Sequence, residues 1–477
     1  MRYDIVVIGS GPGGYVAAVR AAQLGLKTAI VERDPFFGGT CLWRGCIPTK
    51  ALLENAAIYE QTLHAKEFGI VAGTVSLDFG LVMQRKTKVV RKLGKGVEGL
   101  LKGNKIDTHQ GHGRLAGKGK VSVTGAGGAV TTLETANILI ATGSTPRGLP
   151  GLEVDGTRVV TSDEILDLKE IPKQLLVLGA GAVGLEFASI FHRFGSKVTV
   201  VEMLPRVAPL EDEEISAELG KILRKQGIAI HTGVMATDIK VSGNKVAAAL
   251  SPAQAAAGAG MSNGPVTAAP ARIEGDLLLV AVGRKPVTDD LGLSGTAVKL
   301  EKGFVQVDGY MRTSEPGVYA IGDVVNTPLL AHVASTEGIL AVEHMAGREV
   351  RPINYDHVPN ATYCEPEVAS VGLTEAKAKL KGHEVKVGRF PFTHSSKAPI
   401  LGSVEGLVKI VADAKHGELL GVHIVGPRAT EMIAEAGIAL STEATVEEIY
   451  RTIHAHPTLS EAMPEAARGA FGRAIHA

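Results

Sequence analysis

The sequence predicts an α/β protein with two Rossmann-like dinucleotide-binding folds followed by an α+β region, and three observations carry that reading. One pattern of strand, glycine turn, helix, strand and acid occurs twice; glycine is abundant, 58 of 477 residues; and the last third alternates strand-like and helical runs without that pattern. Residues 3–9, YDIVVIG, read as a buried strand, followed by Gly9, Gly11 and Gly14, a helical stretch at 15–24 and a second strand at 27–31 ending in Glu32. Residues 174–179, QLLVLG, repeat this with Gly179, Gly181 and Gly184, a helix at 185–194, a strand at 197–201 and Glu202. The interval from third glycine to acid is the same in both copies. A lone Gly-x-Gly-x-x-Gly is weak evidence, but the whole pattern in register twice is strong. The glycines allow a tight turn and let backbone amides approach a pyrophosphate at the helix N-terminus, while the carboxylate accepts ribose hydroxyls. Two copies point to two dinucleotides.

Between the copies, residues 51–68 and 81–101 read as helices, and the run Arg85, Lys86, Lys88, Arg91, Lys92, Lys95 as a solvated face of the second. Residues 135–144, TANILIATGS, read as a strand ending in a small-residue turn. Residues 251–272, rich in Ala, Gly and Pro with a single charge, read as a mobile loop joining two strands. An apolar strand at 276–283 and the segment 317–323, GVYAIGD, follow. Strands at 407–411 and 420–425 with a helix at 430–441 suit an α+β dimerisation or substrate domain.

Composition narrows the function. Lys plus Arg equals Asp plus Glu, 50 each, so no basic excess exists to hold a polyanion and nucleic-acid binding is disfavoured. Hydrophobic residues at 45% and charged residues at 21% are ordinary globular usage. No run of about 18 apolar residues predicts a membrane span, and no signal-peptide pattern is read at the N-terminus. Three cysteines are too few for a secreted disulfide scaffold, so a reducing, cytoplasmic compartment is expected.

Two segments carry chemistry. GGTCLWRGCIPTK, residues 38–50, sets Cys41 and Cys46 five positions apart; in an ideal helix they would lie ~140° apart with a ~7.5 Å rise, too far to bridge. Bridging needs a distorted chain, and Gly45 with Pro48 makes one plausible. A catalytic dithiol is the favoured reading, with structural thiols as the alternative; no metal is expected, because a second Cys or His pair at finger-like spacing is missing. HAHPTLSE, residues 454–461, reads in two ways: Thr458 and Glu461 as a capping box, or Glu461 holding the His456 imidazole in one tautomer so that its free nitrogen exchanges protons with a thiol.

The segment GGTCLWRGCIPTK, the paired dinucleotide folds, ATGS at 141–144, AIGD at 320–323 and HAHPTLSE together resemble the pyridine nucleotide-disulfide oxidoreductases, and among them the enzymes that oxidise dihydrolipoamide. The resemblance implies an FAD-binding domain with a redox disulfide at 1–150, an NAD-binding domain at 151–283, a central segment at 284–350 completing the FAD site, and a C-terminal dimerisation domain at 351–477. It implies that Gly9, Gly11, Gly14, Glu32, Lys50, Thr142, Gly143 and Asp323 bind FAD, and that Gly179, Gly181, Gly184, Glu186, Glu202 and Gly283 line the NAD site. Cys46 would face the flavin, Cys41 would exchange with substrate, and His456 with Glu461 would be the base pair. The implied partners are dihydrolipoamide on a lipoyl domain, a second copy of the chain and the acyltransferase core of a multienzyme complex. A related NAD(P)H-dependent disulfide reductase, such as a glutathione-type enzyme, is the close alternative, and a non-catalytic structural subunit the distant one. Trp43-Arg44 stands where the family commonly has a smaller Asn-Val type pair.

Overall fold

Strand β1 (Arg2–Ile8) carries Ile5, Val6 and Val7 with no exposed surface, the continuous apolar run of a strand covered on both faces. Helix α1 (Pro12–Gln23) begins on Pro12, tolerated where the first N–H has no helical partner, and strand β2 (Thr28–Glu32) returns beside β1 with Ile5 opposite Thr28 and Ile8 opposite Val31. The computed structural model describes residues 2–253 and 269–476 and divides into two units. Most of the loop expected at 251–272 falls at 254–268, outside the described residues.

The first unit comprises Met1–Ala51, Gly80–Arg147 and Arg284–Tyr355. Here β1 pairs in parallel with β2 and with Val130–Ile140, which pairs in parallel with Val318–Ala320. Ile8, Val31, Ile140 and Ala320 therefore end on one edge of the sheet, and Gly9, Glu32, Thr142, Gly143 and Asp323 follow them. Ligands of open α/β sheets bind in the crevice outside such carboxyl ends. Helices α2 (Gly39–Arg44) and α3 (Cys46–Leu63) are separated by Gly45 alone, with φ −144° and ψ −112°. Helix α4 (Phe79–Gly103) buries Val82, Lys86, Val90, Gly94, Val97 and Leu101 at helical period. That stripe corrects the reading of its charge run: Arg85, Lys88, Arg91, Lys92 and Lys95 are exposed, but Lys86 falls on the inner face and is 6% exposed.

The second unit comprises Leu52–Phe79, Gly148–Gly283 and Asp356–Ala477. Its parallel sheet runs Ala229–Thr232, Lys197–Glu202, Gln174–Leu178, Leu277–Val280, Val159–Val160. The C-terminal part is an antiparallel sheet of five strands whose member Leu419–Gly426 is buried along its length, backed by helices Ala429–Ser441 and Ala462–Gly469. Contact there is close: a Cβ at Gly388 would lie 1.8 Å from the Ala466 carbonyl oxygen. This packing fixes the helix that follows Glu461.

One lysine joins the two parts of this unit. Lys409, on strand Leu407–Asp413 and 3% exposed at its side chain, is paired with Asp212 at 2.8 Å, Glu375 at 2.9 Å and Glu214 at 3.1 Å. Asp212 also caps helix Glu213–Gln226 by accepting from the Glu214 N–H. Burial opposes ionisation of Asp212 and Glu214, but Lys409, with Arg389 on Glu214, holds both carboxyls below their ordinary range. Glu375 is lowered first by Lys379 and then by Lys409, against burial.

Lys409→Met leaves these carboxylates without their shared counter-ion, at a cost of about 3–5 kcal/mol and a correspondingly lower thermal midpoint at neutral pH. A lowered carboxyl stabilises above its ordinary pKa, ~4, and that stabilisation is lost as pH falls through the lowered value. Thermal melts should therefore show a constant gap between wild type and variant from about pH 6 to 9, narrowing below about pH 4. A gap that persists undiminished at pH 3 contradicts the assignment.

Candidate functional site

The first glycine turn is shaped by contacts that exclude side chains. Gly9 has φ +102°, and a Cβ there would lie 2.3 Å from the Ala141 oxygen; a Cβ at Gly14 would lie 2.0 Å from the Gly9 oxygen. At Gly11, the residue before α1, nothing lies within 4 Å of that position, and no side chain caps the helix. The orphan N–H groups of this helix start have no side-chain cap and the space beside Gly11 is open, which suits a phosphate. Glu32 is 8% exposed and closes the turn: Oε2 accepts from Ser10 N–H at 2.9 Å and Ser10 Oγ at 2.5 Å, and Oε1 from Asp34 N–H at 2.8 Å.

The second turn repeats this almost atom for atom. Gly179 has φ +102° and would meet the Ala281 oxygen at 2.3 Å, Gly184 would meet the Gly179 oxygen at 2.0 Å, and Gly181 is open. Glu202 is 6% exposed; Oε2 accepts from Ala180 N–H at 2.6 Å and Oε1 from Leu204 N–H at 2.8 Å. A carboxylate has about four acceptor sites, so about two remain for a ribose at Glu202 and one at Glu32. Arg206, the nearest cation along the chain, is paired with Glu213 at 2.8 Å. Gly283, with φ +114°, is open, and Glu186, 4% exposed on helix Ala182–Arg193, accepts from Tyr363 N–H at 3.0 Å.

Within the first unit, Cys41 near the middle of α2 and Cys46 at the start of α3 are free thiols in hydrogen-bond contact. The break at Gly45 turns the chain between them, and Pro48 sits in the first turn of α3, where its missing N–H is harmless. Cys46 as hydrogen-bond partner, then burial, push the Cys41 thiol far up; the Lys50 charge acts the other way and is outweighed. Thr142 donates to the Val287 oxygen at 2.7 Å, Gly143 has φ +70° with open space at its Cβ position, and Asp323 accepts from Ser144 Oγ at 2.5 Å.

In the second unit, His456 Nδ1 lies 2.9 Å from Glu461 Oε1, while Glu461 Oε2 accepts from Thr458 N–H at 2.8 Å. The two readings of HAHPTLSE share one carboxylate. The capping box itself does not form: Thr458 Oγ1 donates to the Ala455 oxygen, and the helix begins later, at Ala462. Burial pushes the Glu461 carboxyl up, but the Thr458 amide and His456 outweigh it and hold the group below its ordinary range. The His456 side chain is 67% exposed, leaving Nε2 accessible.

Three supporting residues escaped the sequence reading. Ser10, besides binding Glu32, accepts from Gly38 N–H at 3.0 Å through Oγ, tying the turn to the approach of α2. Arg284 donates to Ser144 Oγ at 2.6 Å and lies 3.7 Å from Asp323. Glu337, fully buried, accepts from Gly322 N–H at 2.6 Å and from Tyr355 at 2.8 Å, so it fixes the turn that presents Asp323; burial raises its carboxyl. A lone acid on the inner face of an apolar helix was the available signal for Glu337. Among the described residues no three His, Cys, Asp or Glu side chains form a metal-ligand group, and no helix is long and apolar enough to cross a membrane.

Comparison with known proteins fits this geometry. The pyridine nucleotide-disulphide oxidoreductase pattern matches residues 3–338, and the dimerisation-domain pattern of the same name matches residues 358–467. The chain is 47% identical over 492 aligned residues to a dihydrolipoyl dehydrogenase of Bacillus subtilis (strain 168), covering 100% of this chain and 99% of that one. It is 45% identical over 466 residues to a dihydrolipoyl dehydrogenase of Chlorobaculum tepidum, covering 98% and 96%. The crystal structure of LpdA from Mycobacterium tuberculosis aligns with a TM-score of 0.88 at 27% identity, over 98% of this chain and 99% of that one.

The glycines divide into two kinds with separable effects. Gly184→Ala forces a methyl against the Gly179 oxygen and should cost about 1–3 kcal/mol or more of stability. Gly181→Ala meets no protein atom; it should melt as wild type yet bind the pyridine nucleotide about tenfold more weakly, because the methyl occupies the space before the helix. Thermal melts and nucleotide titration of both variants check this, and equal nucleotide affinity in Gly181→Ala and wild type would refute it.

Proposed function

The chain belongs to the pyridine nucleotide-disulphide oxidoreductases, and on that premise we propose that it oxidises protein-bound dihydrolipoamide to lipoamide with reduction of NAD+. The observation that carries the proposal is the Cys41–Cys46 pair, in contact across the break at Gly45 with the Lys50 charge nearby. FAD, when bound, carries the electron pair between these cysteines and NAD. The open helix start at Gly11, the Glu32 carboxylate and the strand-end residues Thr142, Gly143 and Asp323 would hold it with Lys50; Gly179, Gly181, Gly184, Glu186, Glu202 and Gly283 would hold NAD.

The protein's own steps are thiol exchange and proton transfer. His456 Nε2 takes the proton of one substrate thiol, and the thiolate attacks Cys41 Sγ of the Cys41–Cys46 disulfide, displacing Cys46. The second substrate thiol then displaces Cys41, closing the lipoamide disulfide and leaving the enzyme as a dithiol. Of the two cysteines, Cys46 would be the thiolate that faces the flavin. Glu461 steadies the imidazolium and fixes its tautomer through Nδ1.

A homodimer completes the proposal, each protomer lending His456 to the cysteine pair of the other. The match to a dimerisation domain at 358–467 supports it, as do Ile438 and Ile453, 69% and 97% exposed in that region. The chain boundaries at 150, 283 and 350 are proposed as those of the FAD-binding, NAD-binding and central segments, with dimerisation beyond. The lipoyl domain and acyltransferase core of a multienzyme complex are the proposed partners, in the cytoplasm, as three cysteines are too few for a secreted disulfide scaffold.

Steady-state turnover with dihydrolipoamide and with reduced glutathione, each with NAD+ and NADP+, tests the whole reading: rapid NADH formation is expected with dihydrolipoamide alone. His456→Ala should slow this turnover by ~10²-fold or more, and Glu461→Gln by less, while NADH oxidation by an artificial acceptor stays near wild type. Normal dihydrolipoamide turnover in His456→Ala would remove the imidazole from the mechanism.

Glu202 decides the nucleotide. Its carboxylate facing a 2′-phosphate of about −1.5 to −2 charge at ~4 Å, with an effective dielectric of ~20, is repelled by several kcal/mol. With Arg206 held by Glu213, NAD+ should be preferred over NADP+ by at least ~10²-fold in kcat/KM. Glu202→Ala should narrow the gap, mainly by weakening NAD+. Comparable wild-type kcat/KM for the two nucleotides would refute the assignment.

A further inference from the structure

The segment that carries His456 has little backbone structure to hold it. Residues 452–461 run between helix Val446–Arg451 and helix Ala462–Gly469 without helix or strand, and among the described residues no backbone-to-backbone hydrogen bond involves residues 453–458. Side chains must do the holding. Of residues 451–457 only His454 is turned inward: Ile453 is 97% exposed and the His456 side chain 67%, whereas the His454 side chain is 9% exposed.

Both nitrogens of the His454 ring are engaged. Nδ1 lies 2.9 Å from the Thr452 carbonyl oxygen, which can only accept, so Nδ1 carries a hydrogen. Nε2 lies 2.8 Å from Glu435 Oε1, with a proton between them. The two histidines of the segment are thus opposite in kind. His456 spends Nδ1 on Glu461 and leaves Nε2 accessible, while His454 has no nitrogen left to exchange a proton with a substrate.

Glu435 stands on helix Ala429–Ser441, which Met432, Ile433, Ala436 and Leu440 bury in the core of the C-terminal part. The other side-chain bonds of the segment stay local: Thr458 Oγ1 donates to the Ala455 oxygen at 2.8 Å, and Glu461 takes the Thr458 amide and the His456 ring. Among the described residues, His454–Glu435 is the hydrogen bond that ties residues 453–458 to an element other than their flanking helices. Glu461 therefore fixes the ring of His456, but the backbone that delivers that ring is fixed from His454.

We propose that His454 and Glu435 are positioning residues for proton transfer at His456. This rests on the reading of His456 as the base and adds to it a second histidine–carboxylate pair, one that anchors the chain and exchanges no proton with substrate. Displacing a reacting group by about 1 Å can cost up to ~10²-fold in rate, so a loosened segment should lower kcat while the rest of the enzyme is untouched.

The test is steady-state turnover of the FAD-loaded enzyme with dihydrolipoamide and NAD+. His454→Ala and Glu435→Ala should each lower kcat about tenfold, with the KM for NAD+ and NADH oxidation by an artificial acceptor near wild type. Glu435→Gln, whose amide oxygen can still accept from the imidazole, should stay within about threefold of wild type. A double-mutant cycle separates positioning from a merely structural role: added to His456→Ala, His454→Ala should cost no more than about a further twofold, because the placement of an absent imidazole cannot matter. Glu435→Ala, at a partly exposed position, carries the same expectation if His454→Ala does not fold. Normal dihydrolipoamide turnover in His456→Ala overturns the base and this proposal with it. A slow His456→Ala beside wild-type kcat in His454→Ala and Glu435→Ala overturns the positioning role alone, as does a full tenfold loss when either is added to His456→Ala.

Discussion

A carboxylate at the end of a strand, holding the backbone amide that follows the first glycine, is the interaction on which both dinucleotide folds depend. Glu32 holds Ser10 and Asp34, and Glu202 holds Ala180 and Leu204. Each acid is buried and receives N–H groups from both sides of the crevice, so it fixes the spacing between the glycine turn and the loop after the second strand. In the first copy the consequence travels further. Ser10 adds a hydroxyl that reaches Gly38, Asp34 adds a carboxylate that reaches Arg44, and the helix bearing Cys41 is suspended between them. The second copy, with Ala180 and Leu204 at the equivalent places, has the same turn and no such extension.

The repeats were legible in the sequence because their demands are local. A glycine with φ +102° against a carbonyl, or one whose Cβ would sit 2.0 Å from an oxygen, tolerates no other residue, and β1 and β2 need continuous apolar runs. The contacts that involve distant partners were not legible. Glu337 holds Gly322 only because a helix begun at Ala331 returns beneath that turn, and Lys86 is buried only because the inner face of α4 happens to include its position. The Thr458–Glu461 pair shows a subtler limit: spacing offered the amide and the His456 imidazole as alternative partners of Glu461, but not that its two oxygens would take both.

Electrostatics in this chain is organised by sharing. Glu461 divides its two oxygens between a turn and a base; Lys409 is divided among three carboxylates; Asp323 is approached by Ser144 and Arg284 together. A shared group couples the geometry of its partners, because moving one weakens the hold on the others. At Glu461 and Asp323, which are only partly buried, remaining water tempers the desolvation cost; at Lys409 the three carboxylates offset it.

The order in which strands are delivered has its own consequence for a growing chain. The four longer strands of the second sheet, from Gln174–Leu178 to Leu277–Val280, lie within the continuous stretch Gly148–Gly283. The first sheet opens at Arg2, yet it waits for Val318–Ala320, and Asp323 follows later still. On a ribosome, where a chain emerges N-terminus first, the later-encoded dinucleotide fold can therefore close its sheet before the earlier-encoded one. Strand Val130–Ile140 must be held open, unpaired along its Val318–Ala320 side, until the residues between 140 and 318 have been made. The nascent protein would be able to retain its nicotinamide cofactor sooner than its flavin.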